Sequence, residues 1–168
     1  MKNTIKVFVL VALTLAAMSV SAQVKLGHIE TQKLIQAMPE WTAAQKTFEE
    51  EQKKVNTELN GLREQFQTKL AEYSEKMKTY SEAMRATEEE LQGLQQRIQR
   101  FQETAMAQLE KTQNDLMQPV MEKALNAIKE VGKENGFTYI FDMNAGILYA
   151  AENSQDVLPL VKKKLGLQ

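Results

Sequence analysis

The chain has 168 residues, 43% hydrophobic and 26% charged, with a formal net charge of −1 and no cysteine. Without cysteine there are no disulfides, no thiolate metal sites and no lipid attachment through an N-terminal thiol. Clustered cations of the kind that bind phosphate backbones are also missing, which argues against nucleic acid as a partner.

Lys2 and Lys6 precede an apolar run from Val7 to Met18 that only Thr14 interrupts, and Val20, Ser21 and Ala22 supply small residues. This pattern predicts a secretory signal peptide over residues 1–22, cleaved after Ala22. The run is too short for the roughly 20 residues that span a bilayer. Removing Lys2 and Lys6 takes Lys+Arg from 21 to 19 against 22 Asp+Glu, so the mature chain is near −3. No other segment is long enough to span a membrane. In a bacterium with two membranes, the expected location is the periplasm.

Residues 24–29 alternate, with Val24, Leu26 and His28 on one side and Lys25, Gly27 and Ile29 on the other, as in a short strand. Thr31 is positioned to cap one or two helical turns carrying Leu34, Ile35 and Met38, and Pro39 ends them.

From Trp41 a long helical pattern begins. Its narrow apolar stripe runs through Ala44, Phe48, Val55, Leu59, Leu62, Phe66, Leu70, Tyr73, Met77, Tyr80 and Met84. From Val55 the mean step is about 3.6 residues, that of a nearly straight helix. Glu49/Lys53, Glu50/Lys54 and Glu72/Lys76 are spaced to support the exposed face at i,i+4. A break is inferred near residues 84–87, where Thr87 and Glu90 match a capping box. A second stripe then runs from Leu91 through Leu94, Ile98, Phe101, Ala105, Leu109, Thr112, Leu116, Val120, Ala124 and Ile128 to Val131. Pro119 should kink this helix. Beyond it the apolar face widens with Met121, Leu125 and Ala127, as expected of an end returning to a packed body. Asn135-Gly136 closes the helix.

Residues 137–142 and 147–151 read as two strands flanking Met143-Asn144-Ala145-Gly146, a hairpin signal. A last helix, capped from Asn153, Ser154 or Asp156, runs to Leu165 and stops at Gly166. The expected fold is therefore α+β and mostly α. A long antiparallel helical hairpin (residues 41–131, tip near 84–87) projects from a small β-sheet body (23–40 and 132–168). Three short strands make a poor core with open edges, so the body is expected to be completed by oligomerisation. Val24, Leu26, Phe137, Tyr139, Phe141 and Leu148 are the candidates for the shared surface.

No phosphate-binding loop or dinucleotide fingerprint occurs. His28 is the sole histidine and has no paired nucleophile in any recognisable motif, so it reads as structural rather than as a base. The carboxylates lie on solvated helix faces. The chain is thus expected not to be an enzyme and to use no cofactor or metal. Methionines suit surfaces that accept many partners. Met77 and Met84 fit the seam between the helices, whereas Met106, Met117 and Met121 lie one position off it and are candidates for contact with a client or a neighbouring subunit.

The order of elements resembles the Skp (OmpH-like) family of periplasmic chaperones: a signal peptide, the strand Val24-Lys25-Leu26-Gly27-His28-Ile29, a charged helical hairpin, then Phe137-Thr138-Tyr139-Ile140-Phe141-Asp142 and a terminal helix. The resemblance spans essentially the whole mature chain. It implies a trimer whose strands share one body, with three helical tentacles around a cavity that holds unfolded outer-membrane proteins without nucleotide. The family's basic tentacle tips meet anionic membrane or lipopolysaccharide. Here Lys76, Lys78 and Arg85 stand against Glu75, Glu82 and Glu88-Glu89-Glu90, so no lipopolysaccharide site is carried over. The alternative role is an exported structural spacer or adaptor that docks its tip on a folded partner.

Overall fold

The computed structural model describes residues 24–77, 82–147, 149–151 and 154–167. The expected signal peptide, Tyr80 and Leu148 lie outside these residues. The elements are β1 (Leu26–Ile29), α1 (Thr31–Gln36), α2 (Pro39–Lys76), α3 (Glu82–Glu134), β2 (Tyr139–Asp142), β3 (Gln155–Asp156) and α4 (Leu158–Lys164). The architecture is the expected one, a long helical hairpin on a small sheet.

The hairpin is formed by α2 and α3, of 38 and 53 residues, which is about 57 and 80 Å at 1.5 Å per residue. Met38 holds an extended backbone (φ −81°, ψ 132°) and Pro39 occupies the first helical turn. The proline therefore starts α2 as well as ending the turn before it, since its missing N–H costs nothing at that position. Ala44, Leu62, Thr87, Leu91 and Ala105 are the buried seam residues along the arm. The rest of both stripes is half-buried or exposed, so each helix contributes one thin contact line.

The tip departs from its expected place. Residues 84–87 lie inside α3, which already begins at Glu82. Thr87 is not a cap; it is 3% exposed in the seam and its hydroxyl accepts a hydrogen bond from Lys76 Nζ at 3.0 Å. A Thr-x-x-Glu pattern without Gly or Pro cannot distinguish a helix start from a buried hydroxyl facing a neighbouring lysine. α3 is continuous through Pro119. It ends in a paired-bond cap: Phe137 N–H donates to the Gly132 carbonyl at 2.9 Å and Gly136 N–H to that of Lys133 at 3.3 Å. This motif requires the left-handed φ of +68° that Gly136 adopts.

The sheet has the order β2-β1-β3, and both pairings are parallel. The expected hairpin is not formed. Gly146 (φ +85°) and the Ala145 N–H bond to the Asp142 carbonyl at 3.0 Å make the turn, but no strand occupies 147 or 149–151. The chain instead crosses to the other edge of β1, where Gln155–Asp156 pairs with Gly27 and His28. Core packing decides this. Val157 and Val161 are fully buried, and they reach the core only if the chain enters α4 from that edge.

The core lies beneath the sheet. Ile29 of β1, Leu34 and Ile35 of α1, Met38, the Val120-Ala124-Ala127-Val131 face of α3, and Val157 and Val161 form one cluster. Ala127 joins as expected, but Met121 and Leu125 stay 39% and 45% exposed. Gly27 is where the layers come closest. A Cβ there would lie 2.9 Å from both Phe137 Cε1 and Val157 Cγ1. Gly61 and Gly93, by contrast, sit in helix interiors with nothing within 4 Å of a built Cβ.

The two kinds of glycine give opposite expectations. Gly27→Ala should destabilise the body by about 1–3 kcal/mol through overpacking. Gly61→Ala should stabilise the arm by about 1 kcal/mol through helix propensity. Urea unfolding of the two variants against the parent measures both signs.

Candidate functional site

Two surfaces remain open after the core is formed. The first is the outer face of the sheet. In β1 the alternation buries Gly27 and Ile29 and turns Leu26 outward at 48% exposure, and β2 turns Tyr139 and Phe141 outward at 60% and 45%. The parallel register sets Leu26 beside Tyr139 and His28 beside Phe141. The Tyr139 and Phe141 rings stack with centroids 6.1 Å apart. Val24 (56%) and Tyr149 (80%) are exposed as well. Four of the six residues expected at a shared surface, Val24, Leu26, Tyr139 and Phe141, are thus exposed apolar or aromatic side chains. Phe137 belongs elsewhere: it packs on the core beneath Gly27 and carries the Lys25 ammonium 4.3 Å above its ring. The Lys25 ammonium also donates to the Asn135 carbonyl at 2.9 Å. Strand alternation groups Phe137 with Tyr139 and Phe141, and Phe137 departs from it because it precedes β2 and follows the helix cap rather than the pleat.

His28 is half-buried, with Nδ1 2.8 Å from Ser154 Oγ. It ties β1 to the segment entering β3, consistent with a structural part.

Sequence reasoning missed Asp142. Its Oδ1 accepts three hydrogen bonds, from the Thr31 backbone N–H at 3.3 Å, the Asn144 N–H at 3.0 Å and the Asn144 side-chain amide at 3.1 Å. Thr31 is therefore the first residue of α1 rather than its cap, and the cap is supplied from β2 across the sheet. Asp-x-Asn before Gly is the local signal, an Asx turn. Partial burial pushes the Asp142 carboxyl up, but the bonds from Asn144 and Thr31 together outweigh it and leave the group below its ordinary value.

The second open surface is the arm. Met106 is 75% exposed and Met121 39%, whereas Met117 packs against the body core. Leu70 and Met77 are exposed at 40% and 62%. Between the helices lies an open groove of about 730 Å³ lined by Gly61, Gln65, Lys69, Glu90, Gly93 and Arg97 among others. Lys69 spans it, 2.8 Å from Glu90 and 3.0 Å from Glu72. The hydrogen bond to Glu90 and then that to Glu72 raise the Lys69 pKa, and the same contact lowers that of Glu90. Lys54 pairs with Glu51, one residue closer than the expected Glu50. At the arm's root Lys123 meets Glu40, whose pKa falls chiefly through that hydrogen bond. These pairs are solvent-exposed and add little stability. Among the described residues no three metal-capable side chains converge, and no helix is long and apolar enough to cross a membrane.

A slender two-helix arm rooted in a small parallel sheet with an uncovered apolar face defines a binding or scaffolding architecture. The family model for outer membrane protein (OmpH-like) matches residues 25–165, and the chain belongs to that family. The fold is similar to a crystal structure from Caulobacter crescentus CB15 described provisionally as an outer membrane chaperone (OmpH-like). The TM-score is 0.74 at 18% identity, over 86% of this chain and 85% of that one. Comparison with curated proteins finds no match.

The Asp142 junction gives a pH prediction. Its folded pKa lies below the ordinary 3.8. The stabilisation is thus full above that value and is lost as pH falls through the lower folded pKa. Asp142→Ala should cost about 1 kcal/mol at neutral pH, as loss of a helix cap does. The gap from the parent should close in acid, read by urea unfolding across a pH series.

Proposed function

We propose that this chain is an ATP-independent holdase of the periplasm. It would bind unfolded outer-membrane proteins between helical arms and keep them from aggregating. Membership of the OmpH-like family and the fold shared with the Caulobacter protein support a chaperone role for it. The observation that carries the reading is the pairing of an apolar sheet face at the root with an arm that has no core of its own. The root would assemble, and the arms would enclose. Binding through many weak contacts shifts an unfolded client away from aggregation by mass action alone, with no nucleotide and no covalent chemistry.

The root is proposed to be a homotrimer. Among the described residues both β2 and β3 are edge strands, with backbone unpaired on their outer sides. An edge meeting a different edge on the next copy is a head-to-tail contact, which closes a ring when the rotation per subunit allows. Leu26, Tyr139 and Phe141 would form the apolar centre of that ring. Three copies is the number that the resemblance implies.

Two measurements test this reading. The purified protein should suppress light scattering from an unfolded outer-membrane β-barrel diluted out of urea, with no ATP present. Absence of suppression at excess protein, with tight binding to one folded partner instead, would favour a spacer or adaptor. Leu26→Glu combined with Tyr139→Glu should convert a species of three chains into single chains by light scattering, with helicity retained. A trimer that survives both charges would place the shared surface elsewhere.

A further inference from the structure

The two long sides of the hairpin differ in chemistry. The groove lined by Gly61, Gln65 and Lys69 of α2 and by Glu90, Gly93 and Arg97 of α3 shows which flanks lie together. At about 3.6 residues per turn, the same side carries Glu51, Lys54, Glu58 and Glu72 of α2. On α3 it carries Arg100, Lys111 and Asp115. The arm's ion pairs Lys54–Glu51, Lys69–Glu72, Lys69–Glu90 and Lys111–Asp115 all fall on it.

The opposite side carries none of these ion pairs and is rich in carboxamides, with Glu49, Lys53, Arg63, Glu88, Glu103 and Glu110 as scattered charges along it. On α3 it shows Gln92, Gln95, Gln99, Gln102 and then Met106, all exposed. On α2 it shows Gln52, Asn56, Asn60, Gln67 and then Leu70, with Lys53 and Arg63 as charges interspersed among them. None of these carboxamides is hydrogen-bonded within the described residues.

Each free carboxamide offers two N–H donors and a carbonyl acceptor. The complement of a long, carboxamide-rich surface of this kind is a chain with unpaired backbone N–H and C=O groups. Folded proteins have already paired those groups. Nucleic acid and anionic membrane require clustered cations, and a helical partner requires a continuous apolar seam. The spacing also fits loose rather than fixed engagement. Turns of a helix repeat every 5.4 Å or so, whereas alternate residues of an extended chain repeat at about 6.6–6.8 Å. No continuous register forms, so bonds are made and exchanged locally without regard to client sequence. Leu70 and Met106 add apolar contacts for client side chains.

We propose that this carboxamide side of the arm holds the unfolded polypeptide, through side-chain amide hydrogen bonds to its backbone, and that the charged side takes no part. The inference rests on the holdase reading above. The test compares two neutral triple variants of the full protein. Gln95→Ala, Gln99→Ala and Gln102→Ala remove carboxamides from the proposed face. Gln65→Ala, Thr104→Ala and Gln108→Ala remove polar groups from the charged side. Alanine favours the helix in both. The probe is a fluorophore-labelled outer-membrane β-barrel polypeptide diluted from urea, followed by anisotropy. The first triple should raise Kd about tenfold, as the loss of several weak hydrogen bonds does, while the second stays within about twofold of the parent. Equal Kd values for the two triples, with the parent still binding, would overturn the face assignment and leave the holdase reading standing. A parent that does not bind the probe would overturn both. Binding of a soluble neutral glycan in place of the polypeptide, lost in the first triple, would also overturn the proposal.

Discussion

The pairing of β1 with β2 is the contact on which the rest depends. Leu26 to Ile29 meet Tyr139 to Asp142 in parallel register, across more than a hundred residues of intervening chain. Closing a loop of that length costs about 4 kcal/mol beyond a constant term. The closure is what brings the start of α2 and the end of α3 to one place, so that two thin stripes can find each other in antiparallel register. Two features hold the junction from either side. Asp142 at the end of β2 receives the first N–H of α1, and the cap at Gly136 sets the angle at which the chain leaves α3 for β2. Neither is an apolar contact; both satisfy backbone groups that would otherwise be left unpaired.

The same junction explains the small core. Beneath the sheet, α3 contributes Ala124 and Ala127 between Val120 and Val131. Short side chains let the helix lie close to β1, where Gly27 leaves no room for even one methyl group between Phe137 and Val157. Close approach gives good packing per residue but little total apolar area. Leu26, Tyr139 and Phe141 cannot turn inward, because a strand alternates and Ile29 and Gly27 already hold the inner face. The uncovered face is thus a consequence of the pleat and of the one-sided cover by helices.

Much of this was legible in the sequence, because long-range order here follows simple periodicity. The stripes from Trp41 and Leu91 predict the two helices, and the alternation at 24–29 separates the two sides of β1. The tip was misplaced because Thr87 carries a capping signal while serving as a seam hydroxyl opposite Lys76. The hairpin expected at Met143 to Gly146 became a turn followed by a crossover. A turn signal reports only local backbone geometry, whereas the edge that the next strand joins is decided by where Val157 and Val161 can be buried. Asp142 was overlooked because its partner Thr31 is 111 positions away. Of the methionines one position off the seam, Met117 was drawn into the body by the widening core near Val120, and Met106, further out, was not.

The arm's division into a charged and a carboxamide side follows from how a two-helix hairpin must be solvated. With one narrow seam, each helix leaves most of its circumference in water, and that surface must be polar to avoid association with other copies. Charges on both sides would serve solubility equally well. Concentrating the ion pairs on one side leaves the other free of fixed salt bridges, which would compete for its hydrogen-bonding groups. A carboxamide loses less on desolvation than a carboxylate or ammonium, so it can exchange water for a backbone amide at little net cost. A carboxamide-rich flank on a slender, weakly seamed arm therefore combines affinity for unpaired amides with easy release, and the energy needed to grip and let go stays within what small changes in contact number can supply.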